Sequence, residues 1–171
     1  MFRLALERTF EEVAELLWLG RFPEPEAWPS DPAAVEEVAR VQGSLPEQVL
    51  PLDRLRVGVA TAGALDPLRY GTGETAVAVT GRRLLATLVD SLPRVGPSPG
   101  PLRVRPGRPL SGSLVARLWS ALAGSRAPRG GLEALNAALV LVADHELSVS
   151  TKAARMAASI AADPTRWSAW D

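Results

Sequence analysis

The sequence predicts an all-α protein, and three observations lead to that prediction. Apolar residues recur at intervals of three and four along most of the chain, which is the spacing of one face of an α-helix. No stretch alternates apolar and polar residues as a half-buried β-strand would. Capping residues or prolines precede the periodic stretches, and glycine or proline follows them. We therefore expect several packed helices in a single domain over residues 1–171, without a sheet.

The composition is that of a globular protein with no feature of a nucleic-acid or metal binder. Of the 171 residues, 47% are apolar, which is enough for a sizeable core. The 19 acidic and 19 basic residues balance, so there is no net charge to attract nucleic acid or an anionic membrane. With no cysteine and one histidine, a metal centre is not expected. The first dozen residues contain acids and no cleavable apolar core, so we expect a cytoplasmic protein.

The first helix is predicted from its two ends. Thr9 is a capping hydroxyl, and Glu11 and Glu12 lie in the first turn, where carboxylates interact favourably with the helix dipole. Gly20 is a natural end, and the apolar residues between these ends share one face. We therefore place a helix over residues 9–19.

A proline-rich stretch separates the first helix from the second. Four prolines make residues 21–32 a rigid surface loop. Ser30 or Asp31, together with Pro32, is typical of a helix start. The second helix is predicted to end near Val41.

Two longer helices follow, and both contain small residues. The first, over residues 52–65, carries Gly58 and Gly63 among several alanines, which allows another backbone to approach closely. That backbone could belong to this chain or to another. The second, over residues 74–92, is the longest predicted helix. Gly81 within it costs about 1 kcal/mol relative to alanine, which indicates a packing role.

A segment rich in proline, glycine and arginine covers residues 93–109. Its composition predicts a linker-like loop, either solvated or facing a phosphate-bearing ligand. The solvated interpretation is favoured, so its arginines are left out of the candidate site. Ser111 and Ser113 then precede a helix over residues 114–123, which Gly124 ends.

The most informative stretch is residues 132–162. Apolar residues at helical spacing predict a helix that ends near Val142. Ser150 and Thr151 are well placed to cap a second, alanine-rich helix. His145 lies at the break between the two, where it can donate a hydrogen bond to an anionic ligand near the second helix. Alternatively, His145 is the C-terminal cation of the first helix and Ser150 merely the cap of the second.

This stretch resembles the citrate synthase family. Residues 143–151 read ADHELSVST, and the family motif runs A-D-H-E-x-N-x-S-T before an alanine-rich helix. Residues 10–20, FEEVAELLWLG, resemble the family's FEEVAYLLLxG helix, and residues 50–56, LPLDRLR, resemble its HPMDxLR segment. The three matches occur in the family's order. Two positions differ, since Ser148 stands where the family has asparagine and Leu50 where it has histidine.

The resemblance implies a helical fold like the family's large domain and the condensation of an acyl-CoA with oxaloacetate. His145 would hydrogen-bond an oxygen of oxaloacetate or citrate, and Ser150 would orient a second, catalytic histidine. Acetyl-CoA or another acyl-CoA would be the co-substrate, with no covalently bound cofactor. The helices at residues 52–65 and 74–92 would pack across a dimer-type interface.

The family's later motifs do not occur in these residues. A GPLHGGA loop, a GxGHxxY histidine and a catalytic aspartate are missing, so the resemblance covers the first half of the family pattern. We therefore expect one subunit of a split citrate or 2-methylcitrate synthase-type enzyme, inactive alone and completed by a second citrate-synthase-like polypeptide. Two alternatives remain open. The chain could be a non-catalytic regulatory or scaffold partner of such a protein, or an independent small-molecule-binding module that uses His145.

Overall fold

The computed structural model shows seven helices and no strand in the part of the chain that it describes. The described residues are 2–22, 24, 27–93, 112–123 and 125–143. The helices are α1 (Phe2–Glu7), α2 (Phe10–Leu19), α3 (Pro32–Gly43), α4 (Pro51–Leu65), α5 (Glu74–Ser91), α6 (Leu114–Ala123) and α7 (Gly131–Val142). The all-α prediction is confirmed. None of these helices is both long and apolar enough to cross a membrane.

Six of the seven helices begin and end within two residues of their predicted bounds. The exception is α1, for which no helix was predicted. It is six residues long, so it is too short to show a periodic pattern, and it has neither an acid in its first turn nor a base in its last turn. The single domain predicted over residues 1–171 stays a prediction, because residues 94–111 and 144–171 lie outside the described ranges.

Local capping explains where α2 begins and ends. The Thr9 side chain accepts a hydrogen bond from the backbone N–H of Glu12, and the Glu12 carboxylate accepts one from the backbone N–H of Thr9 at 2.8 Å. This reciprocal pair satisfies two N–H groups that a helix start leaves without partners. Gly20 ends α2 in the left-handed conformation, with φ 66°, which glycine adopts without strain.

The start of α3 resolves the choice between Ser30 and Asp31. Asp31 is the cap, and its carboxylate accepts from the backbone N–H of Ala33 at 2.9 Å, while Pro32 occupies the first turn. Ser30 instead donates a hydrogen bond to the carboxylate of Asp90 at 2.5 Å. The loop before α3 is therefore attached to α5 by a side chain.

The longest helix, α5, lies at the centre and packs against α2, α3, α4 and α6. Its apolar core against α2 and α6 contains Ala14, Trp28, Ala86 and Leu114. Trp28 stacks on Trp18 with ring centroids 5.4 Å apart. A second core joins α1, α2 and α7. The helix α7 therefore belongs to the same body as α5, through α2 and α6.

The small residues of α4 and α5 are used inside this chain. A side-chain carbon at Gly58 would lie 2.6 Å from the amide nitrogen of Gln42, and one at Gly81 would lie 2.9 Å from the ring of Trp18. Both distances are too short for a real contact. Ala62 is also buried. Of the two interpretations of the small residues in α4, the intramolecular one therefore holds at these positions, and the packing role predicted for Gly81 is confirmed.

A buried ion pair fixes α6 against α5. The Arg117 guanidinium bonds the Asp90 carboxylate through two nitrogens, at 3.0 and 2.6 Å, and both side chains are at most 4% exposed. The same guanidinium donates to the backbone carbonyls of Trp28 at 2.8 Å and Ala86 at 3.3 Å. Because a buried charge is costly without partners, each of these acceptors is needed.

Replacing Asp90 by asparagine should destabilise the fold by about 3–5 kcal/mol, because it leaves Arg117 buried without a counter-charge. Urea unfolding followed by circular dichroism measures this loss. The matched control is Asp53→Asn, which breaks the exposed pair with Arg56 and should cost less than about 1 kcal/mol. Equal losses for the two variants would contradict the structural role assigned to the buried pair.

Candidate active site and interaction surface

The predicted site residues lie outside the described part of the chain. His145 and Ser150, the predicted substrate-binding and orienting residues, fall within residues 144–171, and so does Ser148. The arginine-rich loop predicted over residues 93–109 also lies outside, apart from its first residue. What the structure describes is the helix that leads to His145, and the surfaces around it.

The helix α7 is anchored to the junction between α1 and α2 by one side chain. The Asn136 side-chain oxygen accepts from the backbone N–H of Phe10 at 2.8 Å, and its side-chain nitrogen donates to the backbone carbonyl of Arg8 at 2.8 Å. These groups lie at the start of α2 and beyond the end of α1, where backbone groups lack partners within a helix. One amide therefore supplies hydrogen-bond partners to the ends of both helices.

The far end of α7 is held by apolar packing. Val140 is fully buried in the core that it shares with Ala5 of α1 and Val13 of α2, and Ala143 packs against the same cluster. Ala143 is two residues before His145. The position at which the chain leads into the candidate site is therefore fixed relative to α1 and α2.

The sequence around Asn136 carries a signal of its role. Within the otherwise apolar run ALNAALVLV, the amide is the one polar side chain. Buried amides are normally hydrogen-bonded, and often to backbone groups. The pattern could indicate that Asn136 has a partner, but not that the partner lies 126 residues away.

A cavity of about 370 Å³ lies between α2 and the start of α6. Four carboxylates line it, together with Trp28 and one arginine. The carboxylates are Glu11, Glu12, Glu15 and Glu24. Oxaloacetate, citrate and CoA are anions, so this excess of negative charge opposes their binding. The cavity is therefore a poor site for the substrates that the resemblance implies.

Most of these carboxylates have structural partners. Glu15 is 3% exposed and forms a two-nitrogen ion pair with Arg82, in which one N–O distance is 2.7 Å. One oxygen of Glu11 accepts from the backbone N–H of Leu114 at 2.6 Å, at the start of α6. The backbone N–H of Thr9, followed by the side chain of Arg8, lowers the pKa of Glu12 below its ordinary value. The acidic cluster thus holds α2 to α5 and α6.

An exposed apolar surface lies on the first turns of α4. We call Leu50, Leu52 and Leu55 the α4 surface, and their exposed fractions are 65, 58 and 39%. Leu55 lies seven residues before Ala62, so the two share a face of the helix. That face is covered by neighbouring helices around Ala62 and uncovered at the leucines. The α4 surface therefore continues a packed face with nothing from the described residues covering it.

Leu50 occupies an unusual position for a leucine. It is the residue that caps the start of α4, and its side chain makes no capping hydrogen bond. Leucine is one of the poorer capping residues, since it has no side-chain acceptor. Exposure and poor capping together mean that Leu50 contributes little to the stability of this chain.

Comparison with known proteins identifies the family. The described residues form an all-helical fold, and its helix α7 leads into the sequence ADHELSVST. A family model described as citrate synthase, C-terminal domain, matches residues 2–168. The chain therefore belongs to the citrate synthase family. A search among curated proteins found no match.

Replacing Asn136 by leucine should cost about 1–3 kcal/mol of unfolding free energy, because the new side chain is similar in size but leaves two backbone groups unpaired. Urea unfolding gives the magnitude, and faster hydrogen exchange at the Phe10 amide would locate the change. Glu133→Ala, on the exposed side of the same helix, serves as the control and should change stability little. An unaltered Phe10 amide would show that the Asn136 bridge does not hold this junction.

Proposed function

We propose that this chain is one subunit of a split citrate or 2-methylcitrate synthase-type enzyme, which condenses an acyl-CoA with oxaloacetate. A second citrate-synthase-like polypeptide completes it. The single observation that carries the proposal is the sequence ADHELSVST after α7, in a chain whose residues 2–168 match the family model. It retains the histidine and the serine of the family motif.

The chemistry explains why a second polypeptide is invoked. Condensation requires a base that removes a proton from the acyl-CoA methyl or methylene group, a donor that stabilises the resulting enolate, and a donor to the ketone of oxaloacetate. His145 supplies the last of these through an imidazole N–H. Ser150 orients the histidine that stabilises the enolate. That histidine, the aspartate base and most of the CoA site come from the partner.

The α4 surface supports association with another polypeptide. Leu50, Leu52 and Leu55 are apolar and exposed, whereas single-domain proteins normally expose such residues singly. Helices pack by inserting side-chain ridges into grooves, and the exposed leucines offer such a ridge. The exposed residues of α5 lie in its first turns, and residues 66–73 connect these turns to the end of α4, away from the leucines at its start. The proposed contact is therefore centred on α4.

A non-catalytic role is the second candidate, and two substitutions favour it. Ser148 replaces the family's asparagine in the site motif, and Leu50 replaces the family's histidine. In the non-catalytic role, the chain binds a citrate-synthase-like protein through the same α4 surface and regulates or scaffolds it. The two candidates therefore share an interface and differ in whether His145 contributes to turnover.

Reconstitution separates the two candidates. The chain is mixed with citrate-synthase-like polypeptides from the same genome, and release of free CoA is followed with oxaloacetate and either acetyl-CoA or propionyl-CoA. We expect turnover by the mixture and none by the chain alone. His145→Ala should reduce turnover at least about 100-fold, since a transition-state hydrogen bond is lost. Glu36→Gln, an exposed change on α3, is the control and should leave turnover unchanged.

Two results would reject the catalytic proposal. If no mixture forms a complex or turns over substrate, the split enzyme is wrong. If a complex forms and His145→Ala has the same activity as the unaltered chain, the regulatory role replaces it.

The double substitution of Leu52 and Leu55 by lysine should weaken binding of the partner at least about tenfold, since it places two charges in an apolar contact. Because both leucines are exposed, the isolated chain should keep its stability. Binding is measured by calorimetry and folding by circular dichroism. The control is Leu122→Lys on α6, where an equally exposed leucine lies away from α4. A similar loss of affinity in the control would mean that the α4 surface has no special role.

A further inference from the structure

Apolar packing alone specifies the position of α7 weakly. Every residue from Ala134 to Val142 is alanine, leucine or valine, except Asn136. Attraction between apolar surfaces has no direction, and cores accept one aliphatic side chain in place of another of similar size. If α7 were shifted by one helical turn, aliphatic residues would again face α1 and α2. The register of α7, meaning its position along and about its own axis, therefore needs a directional contact.

The two hydrogen bonds of Asn136 supply that contact. They join its side-chain amide to the backbone of Arg8 and of Phe10, and both are 2.8 Å long. A slip of α7 by one residue would move this amide by about 1.5 Å along the axis and turn it by about 100°, so neither bond would survive. In coiled coils, a single asparagine in an apolar interface fixes the register of the helices at some cost in stability.

The aromatic ring of Phe10 connects this contact to both apolar cores. The ring packs against the core of α2, α5 and α6 and against the core of α1, α2 and α7. It also meets the ring of Trp28 edge-on, with centroids 6.2 Å apart. The backbone N–H of the same residue is the group that binds Asn136. The register of α7 is therefore set relative to the central helices and not only to α1.

The C-terminal end of α7 moves with this register. Ala143 lies seven residues after Asn136, so the two share a face of the helix. Its backbone N–H donates to the carbonyl of Val140 at 3.3 Å, and its side chain packs against the core that contains Val140. A shift of one turn would move Ala143 by about 5.4 Å. The point from which the chain continues to His145 would move with it.

We propose that Asn136 is a positioning residue for the condensation reaction. Its two hydrogen bonds set the register of α7, and the register sets the place from which the chain enters the reaction centre. This inference rests on the proposed function, in which His145 donates to the ketone of oxaloacetate. A misplacement of about 1 Å can cost about 100-fold in rate. Asn136 acts through α7, so its loss should slow the reaction more than it weakens the binding of the acyl-CoA.

The reconstituted enzyme tests this inference. With Asn136→Leu in complex with the citrate-synthase-like partner, kcat should fall at least about tenfold, because the imidazole is no longer held in place. The KM for the acyl-CoA should change less than about threefold, since the partner supplies most of the CoA site. Rates are expressed per complex, with the amount of complex measured by size-exclusion chromatography and light scattering.

Two further variants separate positioning from general stability. Asp31→Ala removes the cap of α3, so it destabilises the chain away from α7, and it should leave kcat unchanged. Asn136→Asp keeps an acceptor for the N–H of Phe10 and loses the donor to the carbonyl of Arg8. Its kcat should lie between those of the unaltered chain and Asn136→Leu.

Nuclear magnetic resonance of the isolated chain reads the register directly. Val140 is fully buried against α1 and α2, so the shifts of its methyl groups depend on its neighbours. The unaltered chain and Asp31→Ala should each give one set of Val140 signals. Asn136→Leu should give several sets, or broadened signals, because more than one register is populated.

The outcomes distinguish this inference from the proposed function. If the unaltered mixture is active and Asn136→Leu keeps its kcat, the positioning role is wrong and the split enzyme stands. Equal losses of kcat in Asn136→Leu and Asp31→Ala would also overturn it, as would unchanged Val140 signals in Asn136→Leu. If the unaltered chain gives no turnover in any mixture, the proposed function fails and this inference fails with it.

Discussion

The buried ion pair between Arg117 and Asp90 is the interaction on which the arrangement of the helices depends. It brings together α5, α6 and the loop before α3, since Arg117 also bonds the carbonyls of Trp28 and Ala86, and Ser30 bonds Asp90. An arginine at this depth has no water to replace a missing acceptor. The pair therefore fixes the position of α6 on α5, and α6 in turn supports α7. These contacts connect the core to α7, the helix that leads into the candidate site.

The α4 surface is an uncovered apolar surface whose leucines lie on a face that is already packed further along the helix. In the proposed function, this surface is the contact with a partner. The balanced charge of the chain means that apolar contact, and not long-range attraction, would drive that association.

The sequence predicted the helices well because their ends are determined locally. Each of these end signals lies within four residues of the backbone groups that it satisfies. The signals are the Thr9 and Glu12 pair, Asp31 with Pro32, and Gly20. The helix α1 was missed because its six residues carry no such signal. For α4, the sequence predicted that its small residues allow a close approach by this chain or another. The contacts at Gly58 are with side chains of α3 and α5.

The interactions between distant residues could not be predicted in this way. Arg117 and Asp90 are 27 residues apart, and Asn136 and Phe10 are 126 apart, so nothing local connects them. For the candidate site, physical reasoning gave only a histidine at a helix break with two possible roles. The roles of His145 and Ser150 came from the resemblance to the citrate synthase family. They stay predictions, since both residues lie outside the described ranges.

The most direct test of the central claim follows the imidazole of His145 by nuclear magnetic resonance, which is practical because the chain has a single histidine. Labelled chain is titrated with oxaloacetate alone and again in complex with the citrate-synthase-like partner. If His145 is part of a reaction centre that the partner completes, oxaloacetate should shift its resonances strongly in the complex and weakly in the isolated chain. Resonances that oxaloacetate leaves unchanged in an active complex would contradict the claim.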